Sequence, residues 1–551
     1  MIRLDGVSFS YLGGRPALRE VDFRIGPGEL AVLTGPSGCG KTTAARVING
    51  LAGGFFPGTL TGEVRISGRD AASLAPWERA AAVGSLFQDP AGQFVAETVL
   101  GELAFGCECL GMARDEIVRR AGSAAALFSL AGSLALPPAA LSGGERQRLA
   151  AASVWAAGPG VLVLDEPTAN LDACGVEVLA EAVALVKASG RAVVVAEHRL
   201  GWLAGLADVC LYFRDGRLER SMALSELMAL EPRELREMGL RDPRPDVRFR
   251  AGEGSAVGRD RDGSPDPGSP EGEGAASCIG TAPELGADPD HVAAAGSGTA
   301  SCRRTVPERG AEPGQGGAAG GGTASWVGTV SERGAAPGAG DAASRAEGPC
   351  RGLAAEELGL RRHREEIFRD FTMELEPGEI KALTGPNGAG KTSLGRILCG
   401  LGRESAGRVL WAGRPLRPAR RQRAASMVAA EPQGQLLGDT AENELRLSGA
   451  DGKAAKALLE ELGLGEVSGR HPFTLSGGQK QKLVLASASL RPQPALFLDE
   501  PTSGLDLRNM SLVASFLRRL ADSGRALIVA THDTELIGEC RAPSVFLPRR
   551  A

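Results

Sequence analysis

Two nine-residue stretches, GPSGCGKTT at 35–43 and GPNGAGKTS at 385–393, set a lysine and a hydroxyl behind a glycine-rich loop. In this G-x-x-x-x-G-K-[ST] pattern the glycines let successive backbone N–H groups turn inward around phosphate oxygens, and the helix that follows adds its positive end. The first cradle comprises Gly35, Pro36, Ser37, Gly38, Cys39, Gly40, Lys41, Thr42 and Thr43. The second comprises Gly385, Pro386, Asn387, Gly388, Ala389, Gly390, Lys391, Thr392 and Ser393. Lys41 and Lys391 are placed to reach β- and γ-phosphates, and the hydroxyls of Thr42 and Thr392 to ligate Mg2+. Downstream, Asp165 and Asp499 end apolar runs, a position from which a carboxylate can hold magnesium through water. Each is followed by a glutamate, Glu166 and Glu500, suited to polarising an attacking water. His198 and His532 each lie 33 residues beyond the aspartate, and the repeated spacing points to a γ-phosphate contact.

The elements that must position these groups are legible around them. ELAVLTG (29–35) and EIKALTG (379–385) read as short apolar strands running into the glycine loops, followed by helical TTAARVINGL and TSLGRILCGL. VLVLD and ALFLD read as buried strands ending in acids, and AVVVAEH and ALIVATH as further strands ending in polar residues. Such patterns predict an α/β fold with a parallel sheet and a ligand at the carboxyl ends of its strands. The whole arrangement occurs twice: the glycine loops recur at an offset of 350, and LSGGERQR (141–148) recurs as LSGGQKQK (475–482). In both halves 23 residues separate the serine of that motif from the acid that ends the strand.

Between the halves, 241–352 turns to Gly, Pro, Ala, Ser and Glu, which predicts a disordered linker. It contains a degenerate 24-residue repeat, AASCIGTAPELGADP, TASCRRTVPERGAEP and TASWVGTVSERGAAP, read as tandem expansion of a tether because so little of it could form a packed solenoid. The expected domains are therefore 1–240 and 353–551. With 62 basic and 67 acidic residues the net charge is −5, which argues against a nucleic-acid binder held by bulk positive charge. No apolar run approaches the roughly 20 residues that span a bilayer as a helix. The N-terminus, MIRLDGVSFSYLGG, lacks a basic segment leading into an apolar stretch, so a cytoplasmic location is expected. Ten cysteines lie scattered without zinc-ligand spacing and read as free thiols.

The order of phosphate loop, LSGGxxQ, DEPT and strand-end histidine resembles the ATP-binding-cassette (ABC) ATPases, whose distinguishing signature is LSGG. The resemblance implies two P-loop NTPase nucleotide-binding domains, each with a RecA-like core and a helical signature subdomain. It also implies two ATP molecules held head to tail, with Ser142, Gly143 and Gly144 serving the nucleotide on the second half and Ser476, Gly477 and Gly478 the one on the first. The two cassettes are then expected to pair within the chain. SLFQDPAGQFVAETVLGELAFG (85–106), the eroded EPQGQLLGDTAENEL (431–445) and AEHRL (196–200) are similar to the energy-coupling-factor group of importers. That group implies a transmembrane coupling subunit and a substrate-binding membrane subunit as partners, with this chain peripheral on the cytoplasmic face of the membrane. A soluble translation-factor (ABC-F) type and a tandem sugar-importer ATPase are the alternatives; the Gly- and Pro-rich linker and acidic charge favour the importer. By the same resemblance Gln88 senses magnesium and the attacking water, and Ala430 stands opposite it in the second half. Tyr11 is suited to stack on adenine, and Arg361 or His363 would replace it, so the second site is expected to be weaker or slower. Phe94 and Val95, before a helix starting at Glu97, are expected to dock the coupling subunit.

Overall fold

The computed structural model describes residues 1–87, 90–169, 171–244, 352–362 and 365–548. Gln88, His363 and nearly all of the predicted linker with its repeats lie outside the described residues. Each half builds one parallel sheet from the apolar runs. In the first the strand order is Arg217–Met222, Val209–Arg214, Leu30–Thr34, Ala192–Ala196, Val161–Asp165, Val83–Leu86, parallel except for the outermost Arg217–Met222. In the second the order is Ser544–Phe546, Ile380–Thr384, Ala526–Ala530, Ala495–Asp499, Ala425–Val428, all parallel. The strands Leu30–Thr34, Val161–Asp165 and Ala192–Ala196 are buried at every position, as expected of strands covered on both faces.

A smaller antiparallel sheet flanks each core: Pro16–Ile25, Ile2–Tyr11, Gly58–Ile66 and Arg69–Asp70 in the first half, with Glu365–Leu375, Leu353–Arg362, Ala406–Trp411 and Arg414–Pro415 in the second. Its apolar face, including Ile2, Leu4, Val7 and Phe9, packs with Leu33 and with Ala44 and Ile48 of the helix Lys41–Asn49. That packing fixes the helix whose first turn must face a phosphate. Burying a side chain of this size contributes about 1.5–3 kcal/mol, so the helix is held by its apolar face rather than by propensity.

The third component is helical. Val99–Cys109, Arg114–Leu127 and Gly143–Ala157 share a core of Leu103, Cys107, Ala121, Ala125 and Leu149. Ala441–Leu447, Gly452–Glu461 and Gly477–Ser489 repeat it. The first of these helices begins at Val99, two residues beyond the expected start, because the Thr98 hydroxyl accepts the Gly101 N–H at 3.1 Å and caps it. The loop before it is pinned from inside. The buried Glu102 carboxylate accepts the N–H groups of Val95 and Ala96, both at 2.9 Å, and Glu444 accepts those of Leu437 and Gly438, both at 2.7 Å. Phe94 is partly buried against the core beneath, whereas Val95 is exposed, so of the two residues expected to dock a partner Val95 presents more of its surface.

Removing the Glu102 carboxylate strands two backbone donors, at a cost of about 1–3 kcal/mol each. Glu102→Ala should therefore lower stability in a denaturant titration while Glu97→Ala, at an exposed position, leaves it unchanged; equal effects would contradict the pinning.

Candidate active site

The site grows from the carboxyl ends of three adjacent strands. Register pairs Asp165 with Ala196 and Asp499 with Ala530, so the residues just beyond, Glu166 beside Glu197 and His198, and Glu500 beside Thr531 and His532, converge at one sheet edge. Both glutamates take left-handed backbone, φ 49° at Glu166 and φ 47° at Glu500. Such a conformation costs a non-glycine residue about 1–3 kcal/mol and persists only where neighbours over-determine it. Here the N–H of each glutamate donates to the next strand, Glu166 to the Ala196 carbonyl and Glu500 to the Ala530 carbonyl, both at 2.8 Å.

Both phosphate loops lead from strand to helix. Gly35 has φ 142°, and a Cβ there would lie 2.2 Å from the Phe213 carbonyl oxygen, so only glycine lets the loop pass the neighbouring strand. Gly40 and Gly390 precede the helices Lys41–Asn49 and Lys391–Leu398 without any side-chain cap, which leaves the first-turn N–H groups available to an anion. The buried Lys41 ammonium donates to the carbonyls of Gly35 at 2.8 Å and Pro36 at 3.1 Å. Lys391 donates to Gly385 at 2.6 Å and Pro386 at 3.2 Å, and contacts His532 Nε2 at 2.9 Å. Burial drives the His198 imidazole well below its ordinary pKa, and burial with the nearby Lys391 charge takes His532 down to about 4. Both rings are neutral, so His532 Nε2 can accept from Lys391 and leave the other nitrogen carrying a proton. His198 Nε2 and His532 Nε2 lie 3.8 Å and 3.9 Å from the carboxylates of Glu166 and Glu500.

A hydroxyl and a carboxylate meet in each site: Thr42 Oγ1 donates to Asp165 Oδ1 at 3.3 Å, and Thr392 Oγ1 to Asp499 Oδ2 at 2.6 Å. Burial pushes Asp165 up to about 6 and raises Asp499, outweighing the threonine hydrogen bond and the nearby Lys and Arg charges that favour the ionised form. Hard oxygen donors in this position suit Mg2+, which takes one or two protein oxygens and completes its shell with phosphate and water. Burial also lifts Glu500, to about 7, against the opposing charges of Arg199 and Lys391.

Tyr11 ends its strand beside the first loop, with its hydroxyl 3.2 Å from Thr43 Oγ1 and accepting from Arg46 at 3.0 Å. Arg361 is exposed on the matching strand. Gln93 donates to the Ser85 carbonyl at 3.2 Å and accepts the Phe87 N–H at 3.3 Å.

The signature serines cap helices. Ser142 Oγ accepts the Glu145 N–H, and Ser476 Oγ accepts the Gln479 N–H, each at 3.3 Å, so Gly143, Gly144, Gly477 and Gly478 form the positive ends of Gly143–Ala157 and Gly477–Ser489. A pair of contacts that no sequence motif announced joins each half to the phosphate loop of the other. Asp506 Oδ2 accepts the Ser37 N–H, and Asp172 Oδ2 accepts the Asn387 N–H, both at 2.7 Å. Each aspartate reaches from one half into the phosphate loop of the other while its second oxygen caps its own helix, Ala173–Ala188 or Leu507–Asp522. The available signal was their common position, seven residues beyond Asp165 and Asp499. An Arg146–Glu431 ion pair also crosses the interface. Arg241, assigned to the linker by composition, is buried against the second half.

The family model described as "ABC transporter" matches residues 18–169 and 368–503. A protein of Streptomyces avermitilis provisionally named an ABC transporter ATP-binding protein is 39% identical over 560 residues, covering 99% of this chain and 92% of its own length. One of Treponema denticola with the same provisional name is 30% identical over 541 residues, covering 98% and 93%. A Bacillus subtilis protein provisionally named an HMP/thiamine import ATP-binding protein is 25% identical over 548 residues, covering 98% and 88%. With the two phosphate loops, signature helices and reciprocal aspartates in place, the chain belongs to the ABC transporter ATP-binding proteins and is an ATPase of two cassettes.

Proposed function

We propose that the chain is the ATPase of an importer of the energy-coupling-factor type, with cassettes over 1–240 and 353–551 and both ATP sites formed within the one chain. The observation that carries the paired sites is the reciprocal bond of Asp506 to Ser37 and of Asp172 to Asn387. The importer subgroup is supported by the FQDPAGQ stretch and by likeness to the Bacillus subtilis protein.

In each site the nucleotide displaces the loop carbonyls from Lys41 or Lys391, whose ammonium then faces the β- and γ-phosphates. Thr42 with Asp165, and Thr392 with Asp499, hold Mg2+, which supplies charge neutralisation when bound. Glu166 or Glu500 takes a proton from the attacking water, and the neutral histidine beside it donates a hydrogen bond to the γ-phosphate. The opposite cassette's signature helix covers that phosphate with its N-terminal glycines. Tyr11 faces adenine in the first site. Gln88 completes the first site, and the second, with Ala430, turns over more slowly.

No helix among the described residues is long and apolar enough to cross a membrane, so work on a membrane substrate requires partners: a transmembrane coupling subunit and a substrate-binding membrane subunit. A groove of about 460 Å³ between the core and helical parts of the first cassette suits the coupling subunit, with Phe87, Phe105 and Leu110 exposed along it.

Two outcomes follow from this reading. Glu166→Gln should remove most phosphate release, loss of a general base typically costing 10²–10⁴-fold, whereas Glu500→Gln should cost less; equal losses would refute the asymmetry. Phe105→Asp should abolish co-purification with membrane partners while nucleotide affinity and melting temperature stay as in the parent; an intact complex would place docking elsewhere.

A further inference from the structure

The turns that carry the two histidines are braced in different ways. In the first cassette the brace is internal: the buried Glu197 carboxylate accepts Thr168 Oγ1 at 2.7 Å, the His198 N–H at 2.8 Å and the Arg199 N–H at 3.2 Å. In the second cassette Thr531 stands in the place of Glu197, and the brace moves to Asp533. Its carboxylate accepts Thr502 Oγ1 at 2.7 Å, and its N–H donates to Thr531 Oγ1 at 3.0 Å. The Thr531 hydroxyl in turn donates to Glu500 Oε2 at 3.0 Å.

Asp533 does not stand alone. Arg241, 4% exposed and near the last described residue of the first cassette, donates to Asp533 Oδ2 and to the Leu505 carbonyl, both at 2.9 Å. Arg199 approaches the same carboxylate at 3.4 Å, and the Asp242 N–H donates to Glu535 at 3.2 Å. Burial works against an ionised Asp533, yet the Arg241 and Arg199 guanidiniums hold it down at about 2, so the pair is charged on both sides. In the first cassette the residue that aligns with Asp533 is Arg199 itself.

We propose that Arg241 is a positioning residue for the second ATP site, supplied by the first cassette, which holds Asp533 and through it the Thr531–Glu500 contact and the His532 turn. The inference rests on the role given above to Glu500, and not on the transported substrate. It makes the second site dependent on its neighbour for the geometry of its base, while the first site braces itself. Asp506, which serves the first site, keeps its own anchors, the Asn509 N–H at 2.8 Å and the Asn509 amide at 2.7 Å, when Arg241 is removed.

The test uses the full chain with Glu166→Gln, in which residual phosphate release reports the second site. Arg241→Met should lower residual kcat by up to about 10²-fold, the scale of a small misplacement of a catalytic group, with KM for ATP little changed. Arg241→Lys should recover part of it. In the Glu500→Gln chain, which reports the first site, Arg241→Met should change turnover little. Should Arg241→Met fail to fold, Arg241→Met with Asp533→Asn removes the buried carboxylate left with only Arg199 nearby and should still be slow at the second site. Equal losses in both backgrounds, a change in KM alone, or full recovery in that double variant would overturn the proposal. If residual turnover survives Glu500→Gln, the role of Glu500 falls and this inference with it. If turnover needs Glu500 but not Arg241, this inference alone falls.

Discussion

A carboxylate accepting a backbone N–H across the interface is the contact on which the two sites depend. Asp506 reaches Ser37 and Asp172 reaches Asn387, both at 2.7 Å, and each aspartate is simultaneously the cap of its own helix. A charge-assisted bond of this length is stronger than a neutral one, and its double duty means that neither helix can shift without the opposite phosphate loop registering it. Arg146, on the signature helix of the first cassette, also crosses the interface, to Glu431. Within each cassette the uncapped helix N-terminus is the one that follows the phosphate loop, at Gly40 and Gly390, while the signature helix is capped by its own serine.

Everything beneath that contact serves to hold charges where water would otherwise not release them. Lys41, Lys391, Asp165 and Asp499 are all buried, and each finds a local partner in loop carbonyls or a threonine hydroxyl. These partners are weak enough to be exchanged for phosphate and metal. The left-handed backbone at Glu166 and Glu500 is a cost accepted by the sheet, whose next strand fixes the glutamate N–H. Binding of an anion and a cation together would give these desolvated charges stronger partners, as the proposed ATP sites require.

Much of this was legible in the sequence because it is local. Apolar five-residue runs ending in acid or in Thr-Gly announce buried strands, and the glycine loops and LSGG caps lie where periodicity changes from strand to helix. Repetition at fixed spacing then singled out Asp165, Glu166 and His198 with their counterparts. What was not legible depends on contacts between distant positions. Ser37 and Asp506 are 469 residues apart, and Arg241 and Asp533 are 292 apart. No local pattern marks Arg241, which composition placed in the linker. Phe94 differs for a related reason: loop position argued for exposure, while its side chain is partly buried against the core and Val95 beside it is exposed. The different bracing by Glu197 and Asp533 was hidden too, since the two acids occupy neighbouring rather than equivalent positions.

The central claim is that one chain forms two ATP sites between its own cassettes. Equilibrium sedimentation of the chain carrying both Glu166→Gln and Glu500→Gln, loaded with radiolabelled ATP and Mg2+, tests it most directly. Two sites within one chain require particles with the mass of a single chain and two ATP bound. ATP-dependent doubling of the mass, or one nucleotide per chain at saturation, would contradict it.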